Sequence, residues 1–159
     1  MKRLRNERAD LDAADLKILR LLEKDARTST AELARAVGLS APSVAERLRR
    51  LQDGGVIEGY AVRLNPAALG LPLSAWLRIR PVPGQLAAVA EIICKLPEIV
   101  QCDRVTGEDC FIALAHVGSV ADLERVIDRI IPHAMTNTAI IQSSPVEPRS
   151  PLEALKRPE

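Results

Sequence analysis

The amino-acid sequence predicts an α+β fold, in which an N-terminal winged helix-turn-helix is followed by a ferredoxin-like βαββαβ domain. The first observation is that three amphipathic segments, each opening on a capping residue, follow one another between Leu11 and Gly55. The second is that the helical period ends at Gly55 and that apolar residues alternate from Leu73 onward. Only 2% of the 159 residues are aromatic, so Leu, Ile, Val and Ala must build the cores.

Two short helices are predicted first. Asp12 is a strong N-cap for a helix that continues to about Lys24, with an apolar stripe at helical spacing. A capping box at Ser29 and Glu32 opens a second helix, which runs through Val37 and ends at a glycine. Each segment has one apolar face, so both helices can pack against a third.

A third helix is predicted between Ser40 and Gly55. Ser40 can cap its start, and Pro42 lies in the first turn, where its missing amide costs little. The side opposite the apolar stripe carries arginines, which suits the major groove of DNA. An ordinary solvated face is the alternative, but a tight glycine turn joins this helix to the preceding one, as in a helix-turn-helix. The candidate DNA-binding residues are Ser40, Pro42, Ser43, Glu46, Arg47, Arg49, Arg50 and Arg63, with Arg47 at the edge of the apolar side.

The segment from Val56 to Leu64 is short, β-prone and interrupted by Gly59, and we expect a small hairpin or wing. Tyr60 and Arg63 can lie along a phosphate backbone there, although a packed tyrosine at a domain seam is an equally good interpretation. Residues 65–72 are rich in proline, glycine and small side chains, and we expect them to link the domain of residues 11–64 to a second domain.

The second domain, residues 73–148, contains four predicted strands and two predicted helices. The strands are expected at residues 73–80, 99–106, 110–117 and 136–143, and the helices at residues 85–96 and from a cap at Ser119 up to Pro132. Two βαβ-like halves that meet at a central hairpin place both helices on one face of the sheet. Because the other face would expose aliphatic side chains, we expect a second subunit against it. A proline-rich tail, residues 149–159, is expected to be disordered.

The charge of the chain is nearly balanced overall but is unevenly distributed. The net charge is +1, yet residues 1–63 carry 13 Lys and Arg against 10 Asp and Glu. This asymmetry favours an anionic partner for the first part of the chain. No apolar run of signal-peptide type follows the basic tail of residues 1–10, and no run is long enough to predict a membrane span.

The thiol and imidazole side chains show no recognisable catalytic or metal-ligating pattern. Cys94, Cys102 and Cys110 are widely spaced in apolar surroundings, and we interpret them as reduced thiols of a cytoplasmic protein. His116 and His133 lie far apart and have no ligand spacing to any cysteine. We therefore expect neither a metal ion nor a cofactor.

Six short motifs follow one another within the stretch from Leu11 to Pro148. They are Leu11-Asp12-Ala13-Ala14-Asp15, Ala31-Glu32-Leu33-Ala34, Val37-Gly38-Leu39-Ser40, Arg47-Leu48-Arg49-Arg50-Leu51, Gly55-Val56-Ile57 and Val105-Thr106-Gly107-Glu108-Asp109. In these motifs and their order the chain resembles the Lrp/AsnC family of bacterial and archaeal transcription regulators. The resemblance implies a winged helix-turn-helix, a ferredoxin-like effector domain, dimers through that domain and often octamers. It also implies that amino acids or related metabolites bind between effector domains.

The resemblance places this small-molecule site at the central turn of the second domain. Amides at a glycine turn can hold a carboxylate, and an acidic side chain can hold an ammonium, as an amino acid requires. The candidate effector-binding residues are Thr106, Gly107, Glu108, Asp109, Cys110, Thr136 and Thr138. Cys110 stands where many members carry a second acid, and Ala134 where a glycine is common. These departures predict a selectivity unlike that of the leucine-responsive members, such as for a sulfur-containing or apolar metabolite. A glycine turn flanked by solvated acids is the alternative.

Together these features predict a sequence-specific DNA-binding regulator that responds to an amino-acid-like effector, forms homodimers or octamers, and is not an enzyme. One alternative is an enzyme similar to the siroheme decarboxylases, which resemble this family. Their pocket needs cationic and histidine side chains around a large apolar cavity, whereas this chain has scattered histidines and few aromatics. The other alternative is a sequence-blind nucleoid-coating protein, which competition between a promoter fragment and bulk DNA would distinguish.

Overall fold

The computed structural model describes residues 10–155, and the chain divides into two compact units. The first contains the residues up to Val62 together with the C-terminal segment from Pro148, and the second contains Arg63 to Glu147. Two of the predictions fall partly outside the described residues. Residues 1–9 of the basic tail and residues 156–159 of the proline-rich tail are not described.

The first unit contains three helices, which are α1 at Ala13–Lys24, α2 at Thr30–Val37 and α3 at Ala41–Asp53. Each begins at its predicted N-cap, because the side chains of Asp12, Ser29 and Ser40 accept hydrogen bonds from amides of the first turn. Gly38 ends α2 with a φ of 76°, a left-handed conformation that glycine adopts without strain. The three predicted helices are thus confirmed.

The core of this unit is small and aliphatic. Its buried cluster consists of Ile18 of α1, Leu33 and Ala34 of α2, and Val44 of α3. Leu48 is one of five half-buried apolar residues that pack against the cluster. A core of this size supports only marginal stability, so single buried interactions carry a large share of it.

The segment after α3 differs from its prediction. No strand forms between Asp53 and Leu73 in the described chain, so the hairpin expected for Val56 to Leu64 is absent. Its second half is exposed to solvent, and extended backbone forms a sheet only where a neighbouring strand pairs with it. The predicted linker holds one short 3₁₀ turn, at Ala67–Leu69.

The second unit is a four-stranded antiparallel sheet with two helices. Its elements are β1 at Leu73–Pro81, α4 at Leu86–Cys94, β2 at Ile99–Arg104, β3 at Phe111–Val117, α5 at Val120–Ile130 and β4 at Ala134–Ile140. The strands lie in the order β2-β3-β1-β4, and all neighbours are antiparallel. This order confirms the predicted ferredoxin-like arrangement, in which β1 and β3 occupy the centre.

The two faces of the sheet differ in burial. Side chains that alternate along β1 and β3 are buried in one core with residues of α4 and α5, among them Leu77, Ile79 and Phe111 from the sheet. The opposite face carries Trp76 and Met135, of which 37% and 67% are exposed. The helices therefore cover one face only, as the sequence predicts, and the described chain leaves the other face open.

Part of the C-terminal tail is ordered rather than disordered. Pro151–Ala154 form a 3₁₀ helix, and the hydroxyl of Ser150 accepts a hydrogen bond of 3.1 Å from the amide of Leu152. Leu152 is half-buried, and it lines an apolar groove of the first unit together with residues of α1. A serine cap and one apolar anchor suffice to order a short turn.

Candidate functional site

One buried carboxylate joins α1 to α3. Asp15, in the first turn of α1, is fully buried. Arg47 donates from Nη1 to its Oδ1 at 2.8 Å, and Arg50 donates from Nη2 to its Oδ2 at 2.7 Å. Arg47 Nη1 also donates to Oδ2 of Asp12 at 2.6 Å. The amide of Asp15, and then the guanidinium of Arg47, lower the pKa of Asp12 below its ordinary value.

These ion pairs change what Arg47 can do. Helical spacing predicts Arg47 at the edge of the outward face, but its guanidinium turns back onto α1, and only 24% of the side chain is exposed. The side chain of Arg50 remains 58% exposed, and because the bond to Asp15 uses one N–H of Nη2, other N–H groups of the guanidinium can still donate outward. We therefore interpret Arg47 as a residue that positions α3, and Arg50 as one that both anchors the helix and faces solvent.

Arg49 lies at the middle of the outward face between two acids. It donates from Nε and Nη2 to the two carboxylate oxygens of Glu46, at 3.0 and 2.6 Å. Its Nη1 donates to Asp53 at 2.9 Å. The hydrogen bonds with Glu46 raise the pKa of Arg49 and lower that of Glu46. All three side chains are largely exposed, so a partner can reach them.

The remaining DNA-binding candidates are distributed unevenly. The hydroxyl of Ser40 is engaged as the helix cap, where it accepts from the amide of Ser43 at 3.3 Å. Pro42 is exposed in the first turn of α3, whereas Ser43 is half-buried. Arg63 belongs to the second unit, where its guanidinium lies 3.9 Å from Glu147. The outward face of α3 thus consists chiefly of Pro42, Glu46, Arg49 and Arg50.

The turn between β2 and β3 is held by two arginines of β1. Arg78 donates from Nε to Asp109 at 2.6 Å, and Arg80 donates from Nη2 to Glu108 at 2.6 Å. Gly107 has a φ of 107°, which disfavours any other residue there. Acidic and cationic groups therefore lie side by side at the turn, and the Glu108 side chain is 84% exposed.

The other effector candidates are only partly brought together with this turn. Thr106 is exposed beside Gly107, and Cys110 is half-buried where β3 begins. Thr136 and Thr138 pair with Ile79 and Leu77, which are buried on the helix-covered side. Arg78 and Arg80 alternate with those residues and point to the open side. Both threonines therefore lie on the opposite side of the sheet from the arginines.

The thiols and imidazoles form no metal site among the described residues. All three cysteines are free thiols, and burial raises the pKa of the Cys102 thiol. His116 is hydrogen-bonded to Ser74 at 2.8 Å, and His133 to Gln85 at 3.2 Å. No helix within residues 10–155 has the length and apolar character needed to span a bilayer.

Comparison with protein families gives two matches that together cover most of the chain. A model of winged helix-turn-helix DNA-binding domains matches residues 11–58. A model of the Lrp/AsnC ligand-binding domain matches residues 74–151. The two matches correspond to the helical unit and to the sheet with its helices.

Comparison with individual proteins gives relatives that extend over both units. The HTH-type transcriptional regulator LrpC of Bacillus subtilis is 35% identical over 84% of this chain and 92% of its own length. The solved structure of LrpC has a TM-score of 0.83 and covers 89% of this chain and 100% of that one.

Two further solved structures are complexes with L-methionine. The feast or famine regulatory protein Rv3291c of Mycobacterium tuberculosis has a TM-score of 0.79 and 34% identity, covering 87% of this chain and 97% of that chain. The transcriptional regulator NMB0573 of Neisseria meningitidis has a TM-score of 0.78 and 27% identity, covering 86% of this chain and 93% of that chain.

Proposed function

The chain belongs to the Lrp/AsnC family of transcriptional regulators, and from this premise we propose that it reads a specific DNA sequence with the outward face of α3. The observation that carries the proposal is that Asp15 anchors α3 through Arg47 and Arg50 while Arg49 and the rest of the outward face stay exposed. A rigid helix with exposed hydrogen-bonding side chains is what direct reading of base edges requires.

Two of the earlier alternatives are less well supported. The relatives and the matched domains are those of DNA-binding regulators and not of enzymes, so a decarboxylase activity is set aside. A sequence-blind coating protein needs a stripe of free cations. The arginines of α3 are instead each bound to a carboxylate, which favours selective binding. A cytoplasmic location fits such a regulator and is part of this proposal.

Loss of Arg49 or Arg50 is expected to weaken DNA binding. Removing an arginine that contacts a base costs about 1–3 kcal/mol of binding free energy and relaxes the sequence preference. Removing a phosphate contact instead weakens binding to all sequences alike. Arg49→Ala and Arg50→Ala can be titrated on a duplex selected by the unmodified chain and on a scrambled duplex.

Arg129→Ala is the matched control, because it removes an exposed arginine of α5, which belongs to the second unit. Arg47→Ala is a poorer choice than Arg50→Ala, because the Arg47 side chain is only 24% exposed and bonds both Asp12 and Asp15, whereas that of Arg50 is 58% exposed. If both α3 variants keep their helical circular dichroism and bind the selected duplex as tightly as the unmodified chain does, the assignment of α3 is wrong.

We further propose that an amino-acid-like effector binds at the turn between β2 and β3. A zwitterion needs an acid and a base within a few ångströms, and Glu108 with Arg80 supplies both. L-methionine is the first candidate, because two structurally similar regulators were solved with it. Cys110 in place of an acid also leaves room for an apolar or sulfur-containing side chain.

L-methionine is therefore expected to raise the melting temperature of the full chain. A ligand at a hundredfold excess over its Kd stabilises the folded state by about 2.7 kcal/mol. Glu108→Gln removes the charge that would face the ammonium, and we expect it to abolish most of that shift. Glu124→Gln, an exposed acid on α5, is the control that should keep it. A full shift in Glu108→Gln would exclude this turn, and no shift with any common amino acid would exclude this class of effector.

We also propose that the open face of the sheet pairs with a second copy of the chain, giving a dimer or an octamer built from dimers. Trp76 and Met135 are exposed on that face, and Ile112 and Leu114 lie half-buried beside them on β3. An apolar face of this kind is typical of a subunit contact. Two-fold pairing would place two copies of α3 about 34 Å apart, or a multiple of that distance, along DNA.

A further inference from the structure

The outward face of α3 is not a basic surface, although it carries two arginines. Glu46 and Asp53 together bind the single guanidinium of Arg49, so this cluster has an excess of one negative charge. The charge of Arg50 is balanced in turn by buried Asp15. Phosphates alone therefore gain little from approaching α3, since each cation is already paired and an acid stands beside it.

Glu46 is one of the two acids that bind Arg49 on this face. It lies near the middle of α3, one turn before Arg49 and Arg50, on the helix that enters the groove in a helix-turn-helix. An ionised carboxylate only accepts hydrogen bonds. In the major groove the donors are the exocyclic amino groups of cytosine and adenine, and a glutamate pairs typically with cytosine N4.

We propose that Glu46 is the specificity-determining residue of α3, which accepts a hydrogen bond from a cytosine amino group while it orients Arg49 against the neighbouring DNA. The inference rests on the proposed function and assigns a role to one residue within it. Where the base edges in the groove offer only acceptors, they repel the carboxylate of Glu46. Arg49 then stays bound to Glu46 and is not released to contact the DNA. Discrimination then comes as much from the penalty on wrong sequences as from the contact with the right one.

The experiment is selection from a randomised DNA duplex library by the full unmodified chain, by Glu46→Gln and by Asp53→Asn. Asp53→Asn is the matched control, because it also removes one negative charge that is paired with Arg49, but does so at the end of the helix. Both variants are expected to bind a scrambled duplex about 3- to 10-fold more tightly than the unmodified chain at low salt, because each removes one negative charge.

Only Glu46→Gln should change the base preference. A glutamine pairs with adenine, so we expect one cytosine per half-site to be replaced by adenine, and the ratio of selected to scrambled affinity to fall at least tenfold. Glu46→Ala should lose the preference at that position without gaining another. If Glu46→Gln and Glu46→Ala select the same sequence as the unmodified chain, this inference is wrong while the proposed function stands. If the unmodified chain enriches no sequence, both are wrong.

Discussion

Replacing Asp15 by alanine is expected to unfold the first unit under conditions in which the second unit remains folded. The carboxylate of Asp15 is fully buried and binds the guanidinium groups of both Arg47 and Arg50. Removing one partner of a buried ion pair leaves the other charges uncompensated. Both arginines reach solvent in part, so we expect a loss of about 2–3 kcal/mol, which is a large share of the stability of so small a unit.

Urea unfolding followed by circular dichroism measures this loss. The helical unit should unfold at a lower urea concentration in Asp15→Ala, and the transition of the sheet unit should stay in place. Asp15→Asn keeps the size of the side chain and one acceptor oxygen, so its stability should lie between those of the unmodified chain and Asp15→Ala. Glu23→Ala, an exposed acid on the same helix, is the control and should change stability by less than about 0.5 kcal/mol. Equal stability of Asp15→Ala and Glu23→Ala would contradict the anchoring role.

Trp76→Glu is expected to prevent the proposed pairing of two copies and to leave a monomer. Trp76 lies on the open face of the sheet between Leu114 and Ala139 in the strand register, and 37% of it is exposed. In a dimer through this face the new carboxylate of each subunit would be buried in the contact, because a two-fold interface brings the same patch of both subunits together. Burying a carboxylate in an apolar contact costs free energy, and the packing of the tryptophan is lost as well.

Light scattering at micromolar concentration tests this expectation. The unmodified chain should have twice the mass of one chain, or a multiple of that, and Trp76→Glu should have the mass of one chain. Val120→Glu is the matched control, because Val120 is an equally apolar side chain, 54% exposed, at the start of α5 on the covered side of the sheet. A monomeric unmodified chain, or a Trp76→Glu variant that still dimerises, would rule out pairing through this face.

Local patterns were sufficient to predict most of the secondary structure. The caps of α1, α2 and α3 depend on contacts over three residues, and β1, β3 and β4 on alternation over seven to nine. The hairpin after α3 was predicted wrongly for the same reason. The residues of a segment reveal its own β-propensity, but a strand also needs a neighbouring strand to pair with. No strand forms between Asp53 and Leu73 in the described chain.

The candidate sites were predicted less completely than the fold. The strand register decided that Thr136 and Thr138 lie on the opposite side from the arginines that hold the turn. A shift of register by one residue would have reversed this, because successive side chains point to opposite faces. Asp15 was identified from the sequence only as a member of the first motif, since a buried acceptor for two arginines has no signature in its neighbouring residues.

The sequence by itself determined the order of the elements, the helix caps, the alternation of the strands and the family to which the chain belongs. All of these are encoded in residues that lie close together along the chain or in motifs with a set order. Only the tertiary structure decided that Arg47 anchors α3 while Arg49 stays outward, since the bond from Arg47 to Asp15 joins residues 32 positions apart. At the edge of a helix face, a side chain can turn to either side, and the packing of α1 against α3 determines which.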